Sequence, residues 1–319
     1  MTAIPSEQRP APGWLSWHVH VAADPTGTDH LAPLIAGPLA ELIAAQRAAG
    51  RVRNWFFIRY WEGGPHLRLR ILPTAADDAG PLDAAVHAAF RDVPTTGHDP
   101  AVYLDGVRDL ARASLRADPT VDPHLAGVVL DPGVHRAVYT PETDRYGTGE
   151  RLALSEAAFA ASSDLAVLSA GQSPSAVQLR LLGIETICKA AHRARPHDVD
   201  GWLQRYAAYW RTWAGLAPTA VFPADRLAAE AVQWATVLRE RAGVTADRLI
   251  RRGGPLAAWD TALAAVLDGV ADGPDAAARR ESLCISHSHM TLNRLGLLVH
   301  DEFALIETAR FLLPVPAGA

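Results

Sequence analysis

Residues 54–73 read NWFFIRYWEGGPHLRLRILP: two runs rich in aromatic and branched residues around a Gly/Pro turn. The four residues EGGP at 62–65, set between runs 54–61 and 66–73, mark a β-hairpin. Period-two alternation places His66, Arg68 and Arg70 on one side of the second run and Leu67, Leu69 and Ile71 on the other. With EGGP as the loop, Trp61 opposes His66, Arg59 opposes Arg68 and Phe57 opposes Arg70. Directly opposed like charges destabilise a sheet. Facing arginines therefore make sense mainly when a carboxylate or phosphate sits between them, held by bidentate contacts. The plainer alternative is a solvated strand face with splayed guanidinium groups. The rings of Trp55, Phe57 and Trp61 weigh against it.

Upstream of the hairpin, WLSWHVHVA (14–22) alternates strictly, with Trp17, Val19 and Val21 on one face and Ser16, His18 and His20 on the other. That is a strand whose polar face carries two histidines. The intervening stretch from Asp29 to about Ala49 reads as a helix closed by Gly50. The opening order is thus β-α-β-β. Downstream, helices are expected over 82–92 and 102–116, a Pro/Gly-rich connection over 117–133, and another strand over 133–140. From Glu150 the pattern is helical almost throughout, near 150–169, 174–194, 198–214, 224–242, 256–269, 274–295 and 299–312. The expected fold is α+β. An antiparallel N-terminal sheet (14–147) is covered by a largely helical half (148–312) in a single domain, with a loose arm at 1–13 and a tail at 313–319. A sheet with a polar inner face needs such a cover.

Two further stretches carry chemistry. Pro141-Glu142-Thr143-Asp144-Arg145-Tyr146-Gly147 precedes a helix expected to start near Thr148. An arginine beside a helix N-terminus makes an anion pocket; an ordinary loop whose arginine pairs with Glu142 or Asp144 is the alternative. In the helix over 274–295, Ser282, Ser286, His289 and Asn293 recur at i, i+4, i+7 and i+11 and form one polar stripe. A polar stripe on an apolar helix needs solvent or partners. Followed by Asn293 one turn on, His289 could be an oriented imidazole that transfers protons near neutral pH; a structural histidine is the alternative. His287 and His289 point to different sides of a helix and form no metal pair. His18 and His20 share a face, but two histidines without a carboxylate or cysteine are a weak metal signal. No metal and no cofactor is expected, since GxGxxG, P-loop and GxSxG patterns are all missing.

Composition sets the outer bounds. The chain has 319 residues with 30 basic and 35 acidic side chains, a net charge of −5, and a single lysine, Lys189. That balance argues against a nucleic-acid coat or an anionic-membrane binder. The arginine excess fits either GC-rich coding or carboxylate recognition by a planar fork. Cys188 and Cys284 lie in apolar helical patterns and are expected reduced and buried. The N-terminus lacks the basic and apolar regions of a signal peptide, and no 18 apolar residues run together, so no membrane span is expected. The default compartment is the cytoplasm. Trp202, Trp210, Trp213 and Trp234 are expected in the core, although an Ala-rich helical half bearing them could also pack on a second copy as a homodimer.

Taken together, WFFIRYWEGGPHLRLRI, YTPETDRYG with the following TGERLALSEAAFAASSDL, and SHSHMTLNRLG resemble the C-terminal domain of lantibiotic dehydratases. The same domain occurs as free-standing thiopeptide-type bacteriocin biosynthesis proteins. The resemblance runs from about Trp14 to Leu312. It implies action on a ribosomally made precursor peptide carrying a leader. A separate glutamylation protein, using glutamyl-tRNA, esterifies Ser or Thr; this domain then eliminates glutamate to leave dehydroalanine or dehydrobutyrine. The family's elimination residues map onto Arg68, Arg70, Arg145 and His289. Arg59, His66, Tyr146, Asn293, His18 and His20 are candidates for substrate binding, with Tyr146 or His66 as a second proton carrier. The resemblance also embraces thiopeptide pyridine synthases, which join two dehydroalanines by a formal aza-cycloaddition and expel the leader. The insert at 117–133 leaves room for such a different pocket. A third reading is a non-catalytic partner that captures an extended peptide by strand addition to an exposed edge such as 14–22.

Overall fold

The computed structural model describes residues 13–24, 29–117, 122–216 and 222–313. Of the expected arm and tail, all but Gly13 and Leu313 lie outside them. Four antiparallel strands, β1 (Leu15–His20), β2 (Val52–Tyr60), β3 (His66–Pro73) and β4 (Gly133–Ala137), form one sheet in the order β2-β3-β1-β4. Between β1 and β2 run α1 (Leu31–Leu34), a π-helical turn (Ile35–Leu39) and α2 (Ala40–Ala48). Pro38 sits inside that turn. It offers no N–H and crowds the carbonyl four residues back, which the wider turn relieves. Helices α3 (Ala79–Ala89) and α4 (Pro100–Ala117) follow β3, and a single turn, α5 (Thr143–Tyr146), follows β4. The helical half comprises α6 (Glu150–Gly171), α7 (Ala176–Ala194), α8 (Val199–Ala214), α9 (Ala224–Ala242), a short α10 (Ala246–Ile250) absent from the sequence reading, α11 (Ala257–Asp268), α12 (Ala276–Leu295) and α13 (Val299–Leu312). The α+β expectation is met.

The hairpin register differs from the expected one by one residue. Tyr60 pairs with His66, Ile58 with Arg68 and Phe56 with Arg70, while Arg59 pairs with Leu67. The loop is therefore five residues, 61–65, with Trp61 unpaired. Gly63 and Gly64 adopt φ of 75° and 95°, and Gly63 is pinned from outside. Its N–H donates to the Leu125 carbonyl and its own carbonyl accepts from Leu130, both at 2.8 Å. A Cβ on Gly64 would come within 2.9 Å of Val129, so this turn accommodates glycine alone. The insert after α4 thus packs on the hairpin loop. The shift puts Trp55 and Phe57 on the apolar face with Trp17, Val19, Leu67, Leu69 and Ile71, all essentially buried. Large rings leave water there. No arginine faces another across the two strands.

Ile35, Leu39, Leu82 and Val86 cover the apolar face, and Trp17 Nε1 donates to Asp83 on α3 at 2.8 Å. The helical half closes the β2 edge. Phe57 N–H donates to Ser163 Oγ (3.2 Å), and Asn293 takes the Arg59 N–H and returns a bond to its carbonyl, each at 3.0 Å. Unpaired edge groups are a liability that such caps remove. Strand β1 lies inside the sheet, paired on both sides, so the exposed edge expected at 14–22 is not there; the outer strand opposite β2 is β4. By length and apolar character α6 could cross a membrane. Its Ala158, Phe159, Ser162, Ser163 and Leu165 are buried, and it packs on β2, α11 and α12.

Candidate active site

A cavity of about 1550 Å³ opens between the Tyr60–Trp61 end of β2, α4, α8 and α12. The polar stripe read from the sequence faces it: Ser282, Ser286, His289 and Asn293 all line the wall, with Arg59, Arg145, Tyr209, Trp210 and Trp213. His289 Nδ1 lies 2.7 Å from Glu302 Oε2 on α13. Glu302 is 1% exposed, and its other oxygen accepts from Trp210 Nε1 at 3.1 Å and from the Tyr206 hydroxyl. Three donors converge on one buried carboxylate, which fixes the imidazole and leaves Nε2 for transferred protons. Burial opposes a charge on His289, but the Glu302 carboxylate overrides it, and the pKa stands above the ordinary 6.5 despite Arg145 and Arg294 nearby.

The sequence reading missed Glu302. A signal was there: Glu302 falls on the same helix face as Ile306 and Ala309, at i+4 and i+7, the face an amphipathic helix turns inward.

The elimination candidates divide into two groups. Arg145 lines the cavity with His289 and pairs with Glu142 at 3.1 Å. It belongs to the separate turn α5, and the long helix begins only at Glu150, after Gly147 and Gly149 at φ of 84° and 59°. The helix expected near Thr148 thus starts two residues later, with two glycines between it and the turn that carries Arg145. Tyr146 is buried, with its hydroxyl 2.6 Å from Ser286 Oγ on the cavity wall.

Arg68 and Arg70 project from the polar face of the sheet and do not line the cavity. Arg68 stacks on Tyr60, its guanidinium carbon 3.4 Å from the ring centroid, and pairs with Glu62 at 3.2 Å. Arg70 lies against the rings of Phe56 and Tyr139, at 5.2 and 4.8 Å. Burial lowers its pKa to about 10. Tyr60, which reaches the cavity, and Glu142, which pairs Arg145 and also acts on Arg70, connect the two groups. Arg59 lines the cavity but sits on the sheet's other face, paired with Asp29 at 2.8 Å.

His18, His20 and His66 adjoin Arg68, with one nitrogen from each lying within 4.8 Å of the others. His20 stacks on His66 at 4.2 Å and 19°, and His18 packs tilted against His66 at 4.8 Å and 31°. A zinc ligand set instead converges edge-on, at about 2.0–2.1 Å from the metal. Arg68 Nε also points at His66 Nε2, 3.3 Å away, while His66 Nδ1 meets the Gly64 carbonyl at 2.9 Å. These are packed neutral imidazoles. Burial first, then Arg68, brings His18 to about 3; burial and His135 bring His20 to about 4; burial and His20 hold His66 well below 6.5.

No curated protein sequence matches the chain. Among solved structures it is similar to the pyridine synthase TbtD from thiomuracin biosynthesis, with a TM-score of 0.68 and 19% identity over 93% of this chain and 96% of that one. TsrL gives a TM-score of 0.60 and 17% identity over 93% of each chain. The tRNA-dependent lantibiotic dehydratase MibB from Microbispora sp. 107891 gives 0.57 and 17% identity over 98% of this chain, which spans 29% of MibB. At such identities the likeness is one of fold. The family model described as lantibiotic biosynthesis dehydratase C-term matches residues 14–312, and the chain belongs to that family.

Proposed function

We propose that the chain acts on ribosomally made precursor peptides and eliminates glutamate from glutamylated Ser or Thr, leaving dehydroalanine or dehydrobutyrine. The observation that carries this reading is the meeting of His289, backed by buried Glu302, and Arg145 on the wall of one large cavity. The chemistry needs a base for the Cα proton and a cation for the departing carboxylate. Neutral His289 takes the proton at Nε2. The Cβ–O bond breaks, its electron pair leaves on the glutamate carboxylate, and the Cα–H electrons form the double bond. Glu302 stabilises the resulting imidazolium, which makes His289 the stronger base. Arg145 stands where the leaving carboxylate gathers charge. Arg68 and Arg70 add positive potential from behind Tyr60. The partners on this reading are the leader-bearing peptide and a glutamyl-tRNA-dependent glutamylation protein.

One observation favours a second reading. The cavity carries a broad aromatic lining, with Tyr60, Trp61, Tyr209, Trp210, Trp213 and Phe222, and two of the four family elimination residues stay outside it. That suits a pyridine synthase joining two dehydroalanines. Purified protein incubated with a glutamylated peptide separates the readings: glutamate release with loss of its mass supports elimination. Macrocycle formation from a dehydrated peptide, without glutamate release, supports cycloaddition. Binding with neither reaction leaves a non-catalytic peptide partner.

A further inference from the structure

Taking the Cα proton from a peptide residue throws negative charge onto that residue's carbonyl oxygen, and a donor aimed at the oxygen speeds the step. The sequence suggests Tyr146 or His66 as the partner of His289 in handling protons; both are buried, and neither lines the cavity. Asn293 lines it but commits both ends of its amide to the Arg59 backbone. Tyr60 lines it as well, and three side chains fix its ring. The Arg68 guanidinium carbon stands 3.4 Å from the ring centroid, His66 packs T-shaped against it at 5.8 Å, and the hydroxyl reaches Glu62 Oε1 at 3.4 Å. A cation against the ring draws electron density from the phenol, which polarises the O–H bond and strengthens it as a donor. The contact to Glu62 is long beside the typical O–H···O distance of about 2.7–2.8 Å. Glu62 also accepts from Arg68 at 3.2 Å and from the Asp122 N–H at 3.3 Å. Turning the hydroxyl to a better acceptor therefore leaves no buried carboxylate unmatched. Arg59, the neighbour of Tyr60 on β2, is bonded to α12 at Asn293, one turn beyond His289. Tyr60 and the imidazole thus belong to adjoining parts of the cavity wall.

We propose that Tyr60 is a further catalytic residue, the donor to the carbonyl oxygen of the residue being modified, and that Arg68 is a positioning residue acting through its ring. This rests on the elimination reading and deepens it. His289 Nε2 takes the Cα proton, the C–H electron pair moves into the carbonyl, and the Tyr60 O–H holds the oxygen that gains the charge. The pair then returns to form the Cα=Cβ bond, the Cβ–O bond breaks, and its electrons leave on the glutamate carboxylate. Tyr60 ends the step with its proton. Arg68 in this way contributes to the chemistry without lining the cavity.

The test is Tyr60→Phe in the full chain, which keeps the ring against Arg68 and removes only the hydroxyl. On glutamylated peptide, kcat for glutamate release is expected to fall about 10²–10³-fold, with little change in KM and in the thermal midpoint. With deuterium at Cα of the modified residue, the isotope effect on kcat should grow in the variant, because proton removal comes to limit the rate. Arg68→Met should raise the same isotope effect, yet cost little further rate when combined with Tyr60→Phe. Release from Tyr60→Phe at the wild-type rate overturns the proposal, as does slow release with an unmoved isotope effect, the mark of a structural role. A combined loss equal to the product of the two single losses overturns the part given to Arg68. Wild type that releases no glutamate removes the elimination reading and this role with it, whereas normal release from Tyr60→Phe removes the role alone.

Discussion

The molecule carries histidines in two settings, and they behave in opposite ways. On the polar face of the sheet, His18 and His20 pack against His66 beside Arg68, and all three pKa values fall below 6.5. On α12, His289 meets a buried carboxylate and its pKa rises. Burial weighs against the charged form in both places. One partner, Glu302, reverses the outcome. A histidine count therefore says little about proton transfer, whereas the nearest carboxylate says a great deal. Even His287, two residues before His289 on the same helix, is brought to about 3 by burial and Arg294.

The largest effect should come from deleting the favoured imidazole. His289→Ala is expected to slow glutamate release by about 10²–10⁴-fold, a typical contribution of a positioned acid–base group. Mass spectrometry of the peptide would then show the glutamylated form accumulating. His18→Ala or His66→Ala with an equal loss would break the contrast between the two settings.

Glu302→Gln should sharpen it. The amide keeps the shape but removes the charge that lifts the His289 pKa, so the activity limb that requires neutral His289 moves to lower pH. The rate on the plateau should drop by about 10-fold or more, since the weaker base gains less from the transfer. A pH–rate profile unchanged from wild type would mean that Glu302 does not tune His289.

Stability against pH offers a comparison of opposite signs. The sheet histidines have folded pKa values below their unfolded 6.5, so the unfolded chain binds more protons and their contribution is lost as pH falls from about 6.5 to 4. His289 has its folded pKa above 6.5, so its contribution is whole below 6.5 and is lost as pH rises through the folded value. Denaturant titrations of His20→Leu should show a shallower loss between pH 6.5 and 4 than wild type, with little change at pH 7. A slope equal to that of wild type would contradict the burial of His20 in the sheet's polar face.

The smallest expected effect is at the joint between the two regions. Asn293→Ala removes both side-chain bonds to the Arg59 backbone and leaves a strand-edge N–H and carbonyl unmatched. About 1–3 kcal/mol of stability should go with them, measured by chemical denaturation. An unchanged midpoint would mean that α12 is held to β2 by apolar packing alone.

Much of this was legible residue by residue. The alternation in 14–22 and 66–73 identified a face of histidines and arginines, and the stripe Ser282–Ser286–His289–Asn293 pointed at the cavity it lines. Other features were not legible. Asn293, read as a neighbour of His289 and a substrate-binding candidate, bonds the edge of β2 from the cavity wall. Arg59 and Arg68, expected face to face, lie on opposite sides of the sheet because the turn holds five residues and Gly63 is tied to Leu125 and Leu130. Nothing local to the hairpin announces a contact more than sixty residues away.

By itself, then, the sequence determined the α+β plan, the side of its own strand or helix on which each polar group lies, and the arginine-bearing strand within the family pattern. Periodicity carries that information because it follows from the geometry of one strand or one helix. Only the tertiary structure decided the strand register, the meeting of His289 with Glu302, and the separation of Arg68 and Arg70 from the cavity. Those depend on how distant elements approach one another. That approach is set by packing and by long-range hydrogen bonds, and no repeat along the chain records it.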